Sequence, residues 1–423
     1  MRAESQPLVA ARLSRNTLIL LISNLGGAFF SFLLSALIGR ALGTEGLGAY
    51  AAAMAWVFPL SLLAEFGLAT LMTRDVARDF SSAHAYLETV TLSRVLIGGA
   101  IMLLLILAAP LISADPLVVA GLQISAPLVI ILPFFSGFSA IFKTFGEMWP
   151  VPYLNIGMLI AQVALTWVAL RAGGGVIAVL ILNVLTSAGQ LVAAWAIYRW
   201  KFYPTSPPSR PARHPLSLWR GGWSVRLFPL LKRAFPFALA AFFAALQTRL
   251  SVILLERLAS TTEVGYFSAA SRFVEAARLV PNAFFGALFP ALAALAADRL
   301  RLHATLRRGM IGVGAFGVAA GIGFSALALP LLTLVYGGAF APAALVLQVL
   351  GWSLLFGVLR GARTLYCYAV GQEGRVNRVN GLVIVVQAIL SLLLIPAAGA
   401  LGVALVLVLV EIAALALLWR DEA

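Results

Sequence analysis

Aspartate is absent from every long apolar run of this chain, cysteine occurs once (Cys367), and the three histidines (His84, His214, His303) lie far apart. One cysteine allows no disulfide within the chain, and scattered histidines give no metal-ligand spacing. No glycine-rich loop ends in Lys-Ser or Lys-Thr, which argues against ATP hydrolysis by the chain itself. The residues imply no cofactor and no redox or metal chemistry. Charge is scarce too: 11% of the 423 residues are charged against 62% hydrophobic, and the mean hydropathy is +0.99. A water-soluble globule is excluded by that balance.

What fills the chain is a series of apolar stretches long enough to cross a hydrocarbon core. They fall at roughly 17–39, 48–71, 86–109, 117–142, 152–171, 175–198, 234–256, 264–288, 309–332, 343–366, 379–396 and 398–419. The first follows Arg12 and Arg15 as a signal peptide would, yet it exceeds the usual length of that apolar core, so a retained helix is expected. The fold class is therefore an all-α polytopic membrane protein with about twelve transmembrane helices.

The net charge of +14 marks topology rather than a nucleic-acid partner. With the N-terminus cytoplasmic, 21 of the 30 Lys and Arg residues fall in cytoplasmic segments, and only Arg40 and Arg257 fall in external loops. The positive-inside rule thus places both termini in the cytoplasm of an inner-membrane protein, with the basic clusters facing anionic lipid.

The chain also repeats itself. GRALGTEGLGAY (Gly39–Tyr50), shifted by 217 residues, becomes ERLASTTEVGYF (Glu256–Phe267), aligning Arg40 with Arg257, Thr44 with Thr261 and Gly48 with Gly265. Asn155 and Gln162 recur as Asn380 and Gln387, each pair nearly two turns apart on one helix face. Two lobes of six helices follow, residues 1–198 and 234–423, and an even helix number makes the repeat parallel. Residues 199–233 read as a basic cytoplasmic linker. Its first part (Pro204–Pro215) is too proline-rich for a helix, and its second holds Trp219 and Trp223 among arginines, as either an interfacial helix or a plain loop.

External loops stay below about ten residues, and no carboxylates converge, so the polymerase, ligase and glycosyltransferase readings lack their chemistry. The chain is expected to move a substrate rather than convert it. Charges kept inside the membrane should mark the path, since a central Arg costs about 2.5–3.5 kcal/mol on insertion scales. Arg249 lies about 10 Å and Arg272 about 12 Å below the external ends of their helices. Glu275 and Arg278 follow Arg272 on the same helix. One reading makes these four residues a cationic cavity between the lobes for an anionic head group, since guanidinium forks suit phosphate. The other makes Arg272–Glu275 a pair within one helix and lets Arg249 snorkel outward. Ion pairs are expected for Glu65 with Arg94, Arg360 and Arg363 with Glu411, and Lys143 with Glu147.

The stretches LIGRALGTEGLGAYAAAMAWVFPLSLLAEFGLATLMTRDVARD (Leu37–Asp79) and GQEGRVNRVNGLVIVVQAILSLLLIPAAGALGVALV (Gly371–Val406) resemble polysaccharide-biosynthesis exporters. These are the Wzx-type lipid-linked oligosaccharide flippases of the multidrug/oligosaccharidyl-lipid/polysaccharide (MOP) superfamily. The resemblance implies a MATE-like, two-lobe carrier passing a polyprenyl-diphosphate-linked glycan to the outer leaflet by alternating access. Membrane lipids and other polysaccharide-assembly membrane proteins are its implied partners. Drug antiporters of the superfamily are similar in layout, but many hold a carboxylate in the first helix, and residues 17–39 contain none. Peptidoglycan-precursor flippases are similar as well, with arginines in a first helix that here has none before Arg40. Amphiphile efflux, a polymerase or ligase, and a scaffold role remain the alternatives.

Overall fold

The computed structural model describes residues 6–69, 71, 83–145, 147, 149–202 and 223–419, and among them every regular element is a helix. In chain order they are α1 (Gln6–Glu65), α2 (Ala83–Ile112), α3 (Pro116–Ser125), α4 (Leu128–Thr144), α5 (Pro150–Arg171) and α6 (Val176–Ile197). There follow α7 (Trp223–Leu258), α8 (Thr261–Ala277), α9 (Leu279–Ala294), α10 (Arg299–Tyr336), α11 (Ala343–Ala369) and α12 (Glu373–Trp419). The proline-rich stretch Pro204–Pro215, Trp219, Arg74 and Arg78 lie outside the described residues.

Ten helical segments are long and apolar enough to cross a membrane among the described residues. Two of these are double. α1 breaks at Gly43 (φ 68°, ψ −165°) and α12 at Gly399 (φ 53°, ψ −131°), backbone conformations that glycine reaches without steric cost. At Gly399 the chain folds back. A Cβ on Gly402 would strike the carbonyl of Leu394, eight residues earlier, whereas a continuous helix would hold the two about 12 Å apart. At the first break, a Cβ on Gly46 would collide with that of Leu42, again impossible at the about 5–6 Å spacing of a straight helix. Counting both halves of the two doubled segments makes the described residues consistent with the roughly twelve crossings that hydropathy predicts.

Two further spans are jointed rather than doubled. α3 gives way to α4 at Ala126–Pro127, and α8 to α9 at Arg278, three residues before Pro281. Proline lacks the N–H that the preceding turn requires, and its ring crowds the carbonyl four residues back. Large apolar side chains point outward along these helices, among them Leu111 (80% exposed) and Leu334 (72% exposed). Only a lipid surround makes such a surface favourable.

The chain divides into two compact units, one of Met1–Leu34 with Ala53–Arg249, the other of Ser35–Ala52 with Leu250–Ala423. In the first, Leu68, Val90, Ile141, Phe142, Ala194 and Ala234 form a buried cluster. In the second, small residues bring helices together. Gly317 and Gly321 of α10 receive Leu355 and Trp352 of α11, and Gly351 receives Phe324. Close backbone approach replaces the hydrophobic drive that lipid cannot supply.

The second unit also holds a reciprocal contact between copies of the repeated segment. A Cβ on Gly48 would collide with the carbonyl of Thr261, and one on Gly265 with the carbonyl of Thr44. Nearby, Ser260 caps α8 by accepting from the Glu263 N–H at 3.3 Å. Glu263, placed to complete a capping box, instead accepts from the Ala400 N–H at 2.7 Å, at the α12 fold-back. Glu263→Ala is expected to cost about 1–2 kcal/mol, the scale of a helix cap or charge-assisted hydrogen bond. A thermal melt identical to that of the parent protein would mean that packing alone holds the turn.

Candidate functional site

The embedded charges form separate clusters, each built by neighbouring helices. In the first unit, Arg94 of α2 is 1% exposed, and its guanidinium fills the space left by Gly137 of α4, where a Cβ would collide with it. Glu65, its charged neighbour, accepts from Ser136 Oγ at 2.7 Å. No direct ion pair joins the two. Nε and Nη2 of Arg94 have no hydrogen-bond partner among the described residues. Arg249, the last residue of that unit, places its guanidinium 5.4 Å from the Phe58 ring centroid, a cation–π distance.

The second unit holds the other three expected site residues. Arg272 Nη1 meets Glu275 Oε2 at 2.9 Å, three residues apart on α8, so the pair within one helix is real. Arg278 stands exposed at the α8–α9 joint and makes no ion pair among the described residues. Beside the Arg272–Glu275 pair lies Tyr336, buried at the end of α10 and within 3.1 Å of Ser35 Oγ. Its ring packs edge-on to Phe273. Gly39 admits it, since a Cβ there would press against the ring. Sequence reasoning put Tyr336 in an external loop and did not single out Ser35. The one available signal was Gly39, four residues after Ser35 and so on the same helix face.

A third cluster joins α11 and α12. Arg360 Nε lies 2.7 Å from Glu411 Oε2, Nη2 lies 3.4 Å from Oε1, and Nη1 lies 3.5 Å from Asn380 Oδ1. Arg363, expected beside the same carboxylate, instead donates to the Leu418 carbonyl at 3.2 Å and stacks 4.6 Å from the Tyr366 ring centroid. The expected Lys143–Glu147 pair is likewise corrected. α4 ends at Thr144, so Glu147 is no longer one helical turn on from Lys143, and it pairs with Lys201 at 3.0 Å.

The repeated amides share burial at the glutamines but not their partners. Gln162 and Gln387 are both buried. Asn155 accepts from Gln190 at 2.7 Å, and Gln387 donates to Ser251 at 3.2 Å.

Among the described residues the embedded charges thus stand singly or in pairs along helices long and apolar enough to cross a membrane. The comparisons agree with that architecture. Over 95% of its length the chain is similar to a lipid II flippase, MurJ, in an inward closed conformation (TM-score 0.74, 18% identity, 86% of that chain). It is similar to an inward-facing multidrug resistance MATE family transporter of the MOP superfamily over 97% of its length (TM-score 0.72, 14% identity, 99% of that chain). A Vibrio cholerae MATE transporter, VcmN, matches over 98% of this chain and 96% of its own (TM-score 0.61, 15% identity). At such identities the likeness is one of fold. No curated protein matches. The profile of the polysaccharide biosynthesis protein family matches residues 13–296. With two thirds of its length covered, the chain belongs to the polysaccharide biosynthesis protein family and has the fold of the MOP-superfamily carriers.

Proposed function

We propose that this protein is a flippase that carries a polyprenyl-diphosphate-linked oligosaccharide from the inner to the outer leaflet of the cytoplasmic membrane. The family match over residues 13–296 carries the reading, since polysaccharide biosynthesis supplies the class of cargo. A similar solved structure is described as a lipid II flippase, which supports a lipid-linked substrate on this fold. Two six-helix lobes, 1–198 and 234–423, joined by the linker 199–233, exchange access between leaflets. The positive-inside pattern supports cytoplasmic termini. Membrane lipids surround the carrier, and other polysaccharide-assembly membrane proteins supply and consume its cargo.

Arg272 and Arg278 receive the diphosphate, Glu275 orients Arg272 by the 2.9 Å pair, and Arg249, in the first unit, contacts the substrate independently of them. Arg278, exposed and without an ion pair among the described residues, leaves positive charge beside the Arg272–Glu275 pair for the phosphates. Forked donors match phosphate oxygens, and each charge-assisted bond is worth about 1.5–3 kcal/mol.

The test uses the purified chain in liposomes with a fluorescent polyprenyl-diphosphate oligosaccharide. Arg249→Ala/Arg272→Ala/Arg278→Ala is expected to slow leaflet exchange at least about tenfold, the equivalent of one such bond. Exchange at the parental rate would remove the arginines from the site while leaving the flippase reading intact. No exchange by the intact chain, with suitable glycan and an imposed gradient, would favour amphiphile efflux, the reading that likeness to MATE transporters supports.

A further inference from the structure

Three helix ends of the first unit converge on one corner. α4 finishes at Thr144, α5 starts at Pro150, and α6 runs into a π-turn at Tyr198–Phe202. Between them opens a cavity of about 540 Å³ lined by Trp149, Trp200 and Lys201. Lys201 Nζ pairs with Glu147 Oε1 at 3.0 Å, each side chain 37% exposed. The same ammonium lies 5.5 Å from the centroid of the Trp149 ring, and Trp149 packs edge-on to Tyr153. Trp200 is 86% exposed.

Because these membrane-crossing helices all end here, the corner lies where hydrocarbon gives way to head groups. Trp and Tyr, apolar with one polar handle, are at home at that depth. The ion pair is half open, and an exposed pair is worth only about 0–1 kcal/mol. It therefore exchanges readily for a ligand that brings one anion and one cation of its own. The Trp149 face already carries an ammonium, so it accepts another.

We infer that this corner binds the phosphoethanolamine head group of a membrane phospholipid. The phosphate takes Lys201, and the primary ammonium takes Glu147 and the Trp149 face. Phosphatidylcholine has no N–H to give the carboxylate, and phosphatidylglycerol sets a phosphate against Glu147 with no cation between them. Trp200 lies along the glycerol and upper acyl region. The assignment does not depend on what the carrier transports or on which leaflet the corner faces.

The test is native mass spectrometry of the delipidated full chain in detergent, titrated with phosphatidylethanolamine, phosphatidylglycerol and phosphatidylcholine in turn. Soluble glycerophosphoethanolamine serves as competitor. Phosphatidylethanolamine is expected to bind at least about tenfold more tightly than the other two. Glu147→Gln should abolish its preference over phosphatidylglycerol while total lipid binding persists, because the remaining Lys201 still holds a phosphate. A merely structural ion pair would not shift selectivity. Should Glu147→Gln fail to fold, Trp149→Leu, which removes the ring face assigned to the primary ammonium, is expected to weaken phosphatidylethanolamine binding more than phosphatidylglycerol binding. Equal or tighter binding of phosphatidylglycerol by the parent protein would overturn the inference. So would an unchanged preference in Glu147→Gln, or competition by the soluble head group at concentrations similar to the lipid, which would assign the corner to a soluble ligand.

Discussion

Glu411→Ala is expected to destabilise the protein by about 1–3 kcal/mol, the scale of a charge-assisted bond lost from a partly exposed ion pair, whose side chains are 27% and 15% exposed. The carboxylate lies 2.7 Å from Arg360 Nε as an ion pair and accepts from its Nη2 at 3.4 Å, and among the described residues Asn380, at 3.5 Å, would remain to the guanidinium. The cation would then lie in a membrane-crossing helix with one neutral acceptor. Removing both charges acts differently. Arg360→Met/Glu411→Leu keeps similar volume and leaves no orphaned charge, so it should melt within about 1 kcal/mol of the parent protein or above it. Thermal unfolding of detergent-purified protein distinguishes the two. If Glu411→Ala melts like the parent, the pair is not holding α11 to α12. If the double variant melts as low as Glu411→Ala, the loss comes from packing rather than from charge. The same double variant separates stability from transport: restored melting with lost leaflet exchange would give the pair a part in the conformational cycle.

The sequence makes the membrane crossings plain because hydropathy is a property of whole stretches and survives errors at either end. What it conceals is how stretches join. The runs on either side of Gly43 read as two helices with an external loop, Arg40–Leu47, yet helix continues almost to the break, which a single φ of 68° accomplishes. α10 begins at Arg299, ten residues before the apolar run at 309. Arg299, Arg301, Arg307 and Arg308 depress hydropathy there without preventing helix, and Asp298 caps the start by accepting from the Arg301 N–H at 3.1 Å. Charge partners are the least legible feature. Spacing alone offered Lys143 to Glu147, but the end of α4 breaks the spacing, and Lys201, more than fifty residues on, takes the carboxylate. Arg363 likewise finds a free carbonyl at the end of α12, a group that hydropathy does not register. Of the four proposed site residues, the local pair Arg272–Glu275 was readable from its spacing. The neighbouring Tyr336 and Ser35 were not, since they lie 301 positions apart.

Gly48→Ala and Gly265→Ala are each expected to cost about 1–3 kcal/mol, the range of overpacking, although both substitutions favour helix intrinsically. Both glycines are buried, and in each case the added methyl would meet a backbone carbonyl, of Thr261 or of Thr44, which cannot rotate out of the way. Gly157, on α5, is the control. Nothing lies within 4 Å of where its Cβ would be, so Gly157→Ala should gain about 0.5–1 kcal/mol from propensity alone. The two costly positions are aligned copies of one motif, and their contacts are reciprocal: Thr44 faces Gly265 as Thr261 faces Gly48. A contact around an approximate two-fold axis is self-complementary in this way, so both glycines set the separation of a single crossing. Once one methyl has forced it apart, the second meets a gap already opened. Gly48→Ala/Gly265→Ala should therefore lose clearly less than the sum of the single losses, in a double-mutant cycle read by thermal melting. Strict additivity would mean that the two carbonyls press independently. The repeat would then be a likeness of sequence without a shared joint.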